Sequence, residues 1–374
     1  MTGAIASASA PVRLTIDLSA LAENWRELAR RASPGRCAAV VKANAYGTGL
    51  SEAAPALWAA GARTFFVAHF SEGVAARLVL PGEARIYVLN GLESGAEPED
   101  YAEHRLAPVI GGEEELARWS AFARRRGRPA PSALHLDTGM NRLGFESLAR
   151  LQAAIETHGA ASGADLLISH FVSSEIADDP INLEQIRRFD AARAAFPSLP
   201  ASLANSSGMF LNPAPIYDLA RPGYALYGGN PAPGRPNPMR PVVTMTAAIQ
   251  QIRSLEPGTT CGYNAQWTAK RPTRLATLLI GYADGLPRAA GATDARPGAE
   301  VAVAARRCPL VGRVSMDLAV ADITDLPEDK ARPGDRVELF GGTIDLDEFA
   351  ARCGTIGYHL LTSAGPRFRR DYLR

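Results

Sequence analysis

Residues 37–50 read CAAVVKANAYGTGL, and the fold follows from how the lysine in that stretch is placed. The apolar residues Ala38, Ala39, Val40 and Val41 have the length and character of a buried strand, and Lys42 stands at its C-terminal end. Polar and glycine residues follow at once. Desolvation penalises an ammonium at such a position, so a chain that keeps one there is expected to use it.

Outward from this stretch, strand-like apolar runs recur: FFVAHF from Phe65, RIYVLN from Arg85, APVIG from Ala107, ALHLDT from Ala133, LLISHF from Leu166, ASLANS from Ala201 and YDLARPG from Tyr217. Their intervals, roughly 20–35 residues, suit βαβ units. The segments between them carry helical signals. Leu18, Leu21, Trp25 and Leu28 fall on one helical face, and SEAAPALWAAGA stops at Gly61, a C′ glycine. No G-x-G-x-x-G follows a first strand, which disfavours an open doubly wound sheet. The expected fold is α/β: a (β/α)8 barrel of the TIM type. Beyond about residue 240 the texture changes to β-type runs punctuated by Pro257-Gly258, Pro297-Gly298 and Pro333-Gly334. A mostly β C-terminal domain is therefore expected over 239–374. The barrel is expected over 12–238, with residues 1–11 as a tail or packed on it.

Composition narrows the function. Of 374 residues, 47% are hydrophobic and 21% charged, and a net charge of +1 gives no electrostatic support for nucleic-acid binding. The run Arg124, Arg125, Arg126 reads as the solvated end of a helix. Cys37, Cys261, Cys308 and Cys353 stand far apart with no C-x-x-C pair, which fits neither a metal ribbon nor a disulfide framework. The first residues lack a basic n-region and a long apolar h-region. No apolar run reaches bilayer length. A cytoplasmic protein is expected.

In a barrel of this type the active site sits at the C-terminal ends of the strands. Lys42, Asp137, His170, Asn205 with Ser206 and Ser207, and Arg221 with Gly223 and Tyr224 all occupy such ends. Singly, each has an ordinary structural explanation: a satisfied histidine, a solvated lysine, a serine-rich loop. Together they mark one rim, whereas structural polar residues would be spread over both. A partly desolvated lysine at a barrel mouth is an amine nucleophile, used for Schiff bases with a carbonyl substrate or with pyridoxal phosphate. The serine and glycine loops after strands seven and eight offer phosphate donors, which favours pyridoxal phosphate over a plain aldolase.

The motifs AVVKANAYGTG, LDTGMNRLGF, ISHFVSSE, ANSSG, RPGYALYG, CGYNAQWTA, IGYADGLPR and VGRVSMD together resemble bacterial alanine racemase from about Leu14 to Tyr358. The resemblance implies a pyridoxal-phosphate barrel followed by a β domain, an obligate homodimer with shared sites, and interconversion of L- and D-alanine, whether for peptidoglycan or for alanine breakdown. It implies that Lys42 anchors the cofactor and handles the proton on the D-alanine side, and that Tyr263 serves the L-alanine side. It implies further that His170 and Arg221 support that tyrosine, and that Arg221 faces the pyridine nitrogen. Tyr46, Asn205, Ser206, Gly223, Tyr224 and Tyr358 match cofactor-binding positions. Arg142 matches the arginine that approaches the substrate carboxylate. Met316, Tyr282, Asp317, Arg313, Arg288 and Glu175 match the substrate entrance and its surroundings.

Two positions depart from the family pattern. His135 stands where many relatives carry a lysine that holds the substrate-binding arginine, so another group must orient Arg142, such as an anion or Asn141. Asn264 stands where the family usually has glycine, next to Tyr263. Rival readings are a pyridoxal-phosphate decarboxylase and a non-catalytic carrier of the cofactor. The first calls for a glutamate near the ring nitrogen where this chain has Arg221. The second calls for a bare barrel without the domain that holds Tyr263.

Overall fold

Strands that are apolar at every position need cover on both faces, and the chain supplies it with helices. Thr64–Val67 and Leu106–Ile110 are buried throughout their lengths. The computed structural model describes residues 10–159 and 162–374. It divides the chain into two units, residues 21–45 with 49–240, and residues 10–20 with 46–48 and 241–374.

The first unit is the barrel. Ala39–Val40, Thr64–Val67, Arg85–Val88, Leu106–Ile110, Ser132–His135, Ala164–Ile168 and Ala201–Ser202 follow one another in a parallel ladder. Leu219–Ala220 closes it by pairing in parallel with Arg36–Cys37. On its other side, the N–H groups of Asp218 and Arg221 donate to the carbonyls of Ala201 and Ala204 at 3.0 and 2.8 Å. Each strand expected from the sequence is in this ring.

The intervening helices end where local chemistry stops them. Leu50–Ala60 terminates at Gly61, with φ of 125°. Glu113–Arg126 has Glu113, Glu114 and Glu115 in its first turn and Arg124, Arg125 and Arg126 in its last, each set complementing the helix dipole. The arginine run is thus a helix end, as expected. The hydroxyl of Ser147 caps Leu148–His158, and the carboxylate of Asp179 caps Pro180–Ala195.

The second unit is a β domain. Its main sheet runs Arg306–Pro309, Glu300–Val303, Arg336–Phe340, Val243–Leu255, Val12–Asp17, Arg369–Leu373. Val243–Leu255 also pairs from Ile249 onward with Thr273–Leu278, with a register break between Ile249 and Gln251. Val12–Asp17 is a correction to the expected boundary: it pairs with Val243–Leu255 and Arg369–Leu373 instead of joining the barrel. Its side chains alternate buried and half-buried, the pattern of a strand with one covered face. Among the described residues no helix is long and apolar enough to cross a membrane. The cysteines are free, and no cluster suited to a metal ion occurs among the described residues.

Candidate active site

Lys42 leaves the first barrel strand into a left-handed turn. Ala43, Asn44, Ala45 and Tyr46 have φ of 53°, 54°, 54° and 52°. That conformation costs a residue with a side chain roughly 1–2 kcal/mol, so four in succession must be held from outside. Ala45 N–H donates to the Val41 carbonyl at 2.9 Å, and Asn44 Oδ1 accepts the Leu50 N–H at 2.8 Å. Glu72 accepts the N–H of Ala43 at 2.6 Å. Strain of this kind, sustained by the surroundings, clusters at functional sites.

Lys42, His135, Arg142, His170 and Arg221 line one cavity of about 250 Å³ at the C-terminal end of the barrel strands. No carboxylate lines it among the described residues. Burial lowers the pKa of Lys42, Arg142 lowers it further, and Glu72 opposes them. Burial, then Arg221, brings His170 down to about 3 and His135 to about 4, so both rings are neutral. Burial alone brings Arg221 down to about 10, still a cation at neutral pH. The site is cationic and contains an amine biased toward its nucleophilic form. It calls for an anionic ligand that has a carbonyl.

Arg221 is 5% exposed. Its Nη1 donates to the Ser202 carbonyl at 2.7 Å and its Nη2 to the Ser169 carbonyl at 2.5 Å. These bonds hold both terminal nitrogens of the guanidinium against the strand ends. Ser206 Oγ accepts the N–H groups of Gly223 and Ala225 at 3.0 and 3.2 Å, joining the loops after strands seven and eight. Asn205 Oδ1 accepts from Ser174 Oγ at 2.9 Å and from Gly208 N–H at 2.8 Å, so it shapes this loop. Tyr224 is buried beside it, and Glu175 is exposed on the loop after strand six. A buried guanidinium, a desolvated lysine and a serine–glycine loop pair fit the ring nitrogen, aldehyde and phosphate of pyridoxal phosphate.

In the β domain, Tyr46 and Tyr358 have ring centroids 6.2 Å apart. Tyr263 is 63% exposed and lines a depression of about 460 Å³ with Arg313, whose Nε donates to Gln266 Oε1 at 2.8 Å. The Tyr282 and Met316 loops are knitted together: Tyr282 N–H donates to the Ser315 carbonyl and Ala283 N–H to the Met316 carbonyl. A side chain at Gly281 would meet the Met316 carbonyl at 2.2 Å, so only glycine permits this approach. Asp317 pairs with Arg367 at 2.8 Å, and Arg288 is exposed on a nearby single turn. Tyr282 and Met316 are also exposed. Asn264 has φ of 63°, the slot glycine would fill and asparagine tolerates, so this departure preserves the backbone beside Tyr263.

Sequence reasoning missed two organisers, Gln185 and Glu72, and placed Asp137 on the rim without reading its role. Asp137 accepts the N–H groups of Gly139, Met140 and Asn141, folding the loop that carries Arg142. Gln185 donates to Thr138 Oγ1 and the His170 carbonyl, tying two βα loops together. Glu72 holds the turn after Lys42. Asp followed by Thr-Gly is a readable loop signal; Gln185 and Glu72 lie inside helices and carry none.

The N-terminal domain model of alanine racemase matches residues 16–231 and the C-terminal domain model residues 242–372. An alanine racemase of Methylobacterium sp. strain 4-46 is 55% identical over 364 residues, 96% of this chain and 97% of its own. The crystal structure of the Bartonella henselae alanine racemase, with covalently bound pyridoxal phosphate, aligns at a TM-score of 0.91 and 37% identity, covering 98% of this chain and 100% of that one. The biosynthetic alanine racemase structure from Pseudomonas aeruginosa aligns at 0.86 and 38% identity, with 98% and 100% covered. Relatives named biosynthetic and catabolic both occur.

Proposed function

The chain belongs to the alanine racemase family, and on that premise we propose that Lys42 and Tyr263 are the two proton-handling groups of a pyridoxal-phosphate enzyme that interconverts L- and D-alanine. The chemistry supplied by bound pyridoxal phosphate is an electron sink for the substrate Cα. Lys42 Nζ would hold the cofactor covalently and, as a free amine, would take or return the proton on the D-alanine face. The phenolic oxygen of Tyr263 does so on the opposite face, the simplest way to invert one carbon.

Arg221 would offer an N–H to the ring nitrogen, where a carboxylate would instead keep that nitrogen protonated. A weaker sink follows, which suits racemisation over transamination. Ser206 and the backbone at Gly223 and Tyr224 receive the phosphate, with Tyr46 and Tyr358. Arg142 receives the substrate carboxylate by a charge-assisted bond. Met316, Tyr282, Asp317, Arg313 and Arg288 narrow the entrance, with Glu175 outside it. Tyr263 is contributed by a second subunit, so the active form is a homodimer. The reaction is reversible, and one cytoplasmic enzyme can supply D-alanine to peptidoglycan or return it to metabolism.

The observation that carries this reading is the meeting of Lys42, Arg142 and Arg221 with two neutral histidines on one small cavity. Visible absorbance of the purified protein tests it. The wild type is expected to absorb there and to racemise L-alanine by circular dichroism, and Lys42→Ala to lose both. A variant that keeps both signals refutes the assignment.

A further inference from the structure

Glu72 belongs to none of the motifs that point to the site. It lies on the first turn of Phe70–Val79, the helix after the second barrel strand. Its Oε2 accepts the N–H groups of Ala68 and His69 at 2.8 and 3.3 Å. That half of its bonding is ordinary capping, a carboxylate in the first turn satisfying N–H groups at a helix start. The other half is not: Oε1 reaches a different βα loop and accepts the N–H of Ala43 at 2.6 Å. Ala43 follows Lys42 and begins the run of positive φ.

We propose that Glu72 is a positioning residue for the Lys42 amine: its carboxylate clamps the left-handed turn to the end of the second strand and sets a negative charge beside a cationic cavity. The proposal rests on the reading of Lys42 given above. Only a carboxylate serves both loops, because each oxygen accepts and neither donates. A glutamine would turn its amide NH2 toward one set of N–H groups, and an alanine would leave Ala43 N–H without its acceptor.

The electrostatics point the same way. Lys42 faces Arg142 and Glu72, with Arg221 and the uncharged rings of His135 and His170 around the cavity. Burial and Arg142 drive the amine toward its neutral form, and Glu72 holds it back. His69, whose N–H Glu72 accepts, bonds through Nδ1 to Glu93 at 2.9 Å. Glu72 therefore acts both on the backbone that carries the amine and, against the larger effects of burial and Arg142, on the pH at which the amine takes a proton.

The test is competitive labelling with acetic anhydride across pH, applied to the full-length chain after bound cofactor has been stripped with hydroxylamine and dialysed away, with the Lys42 peptide followed by mass spectrometry. Lys270 and Lys330 serve as internal references. In Glu72→Gln the Lys42 profile is expected to move to lower pH while the reference profiles stay in place. Glu72→Asp, which keeps the charge, is expected to return it toward wild type. In the cofactor-loaded enzyme, the pH limb for D-alanine is expected to shift in the same direction, with kcat reduced and KM little changed. Wild-type labelling and D-alanine profiles in a folded Glu72→Gln protein would overturn the proposal. Labelling does not require Lys42 to anchor the cofactor, so failure of that assignment is read separately, from the absorbance of Lys42→Ala.

Discussion

Arg221 donates from a single guanidinium nitrogen to both the carbonyl and the hydroxyl oxygen of Ser202, at 2.7 and 2.5 Å. With the bond to Ser169, these contacts fix the group from two adjacent strand ends. Lysine keeps the charge but cannot span both partners. Arg221→Lys is expected to lose about 1.5–3 kcal/mol of stability in urea denaturation. Racemisation should fall on the order of a hundredfold, as for loss of a preorganised donor. Unchanged rates would show that the guanidinium does not act on the reacting group.

The two cavity histidines make stability depend on pH in a defined direction. Their folded pKa values, about 4 for His135 and about 3 for His170, lie below the unfolded value of about 6.5. Below that unfolded value the unfolded chain binds more protons, so stability falls as pH drops through 6 and 5. Each histidine contributes a slope of about 1.4 kcal/mol per pH unit, which ends when the folded ring protonates. His135→Asn should remove its share between about pH 6 and 4.5, read from denaturation midpoints. Equal slopes in both proteins would show that His135 is not held neutral.

Asn264 is the residue on which the backbone next to Tyr263 turns, with φ of 63°. Asn264→Gly is expected to be nearly neutral. Asn264→Val places a β-branched side chain in the left-handed region, at about 1–2 kcal/mol, and should lower kcat by displacing the phenol. Thermal unfolding and circular dichroism of L-alanine measure the two effects. Full activity in the valine variant would count against a fixed position for Tyr263.

Shared sites can be tested by mixing inactive variants. Lys42→Ala and Tyr263→Phe should each be inactive, and Tyr263→Phe should keep its stability because the ring is exposed. If the phenol crosses to a second subunit, exchange restores one intact site per mixed dimer. Activity should then rise to about a quarter of wild type. No recovery after demonstrated subunit exchange would mean that each chain completes its own site.

Much of the site was legible because the motifs lie at strand ends, where chain position alone predicts the rim. Lys42, His170 and Arg221 are of this kind, and they line one cavity with Arg142. Glu72 was not legible: its bond to Ala43 joins residues of two separate βα units, and inside a helix a glutamate is an ordinary surface residue. The left-handed turn was equally hidden, since Ala43 and Ala45 carry no preference for positive φ. The departure at Asn264 became intelligible only when its dihedral was known.

The order of strands and helices was set by the chain itself, because apolar periodicity and end-capping act between residues a few positions apart. Tertiary structure decided the partner of Val12–Asp17, found in residues more than two hundred positions away, and the protonation of His135 and His170. Burial and the fields of distant cations govern these outcomes, and both exist only after the barrel has closed.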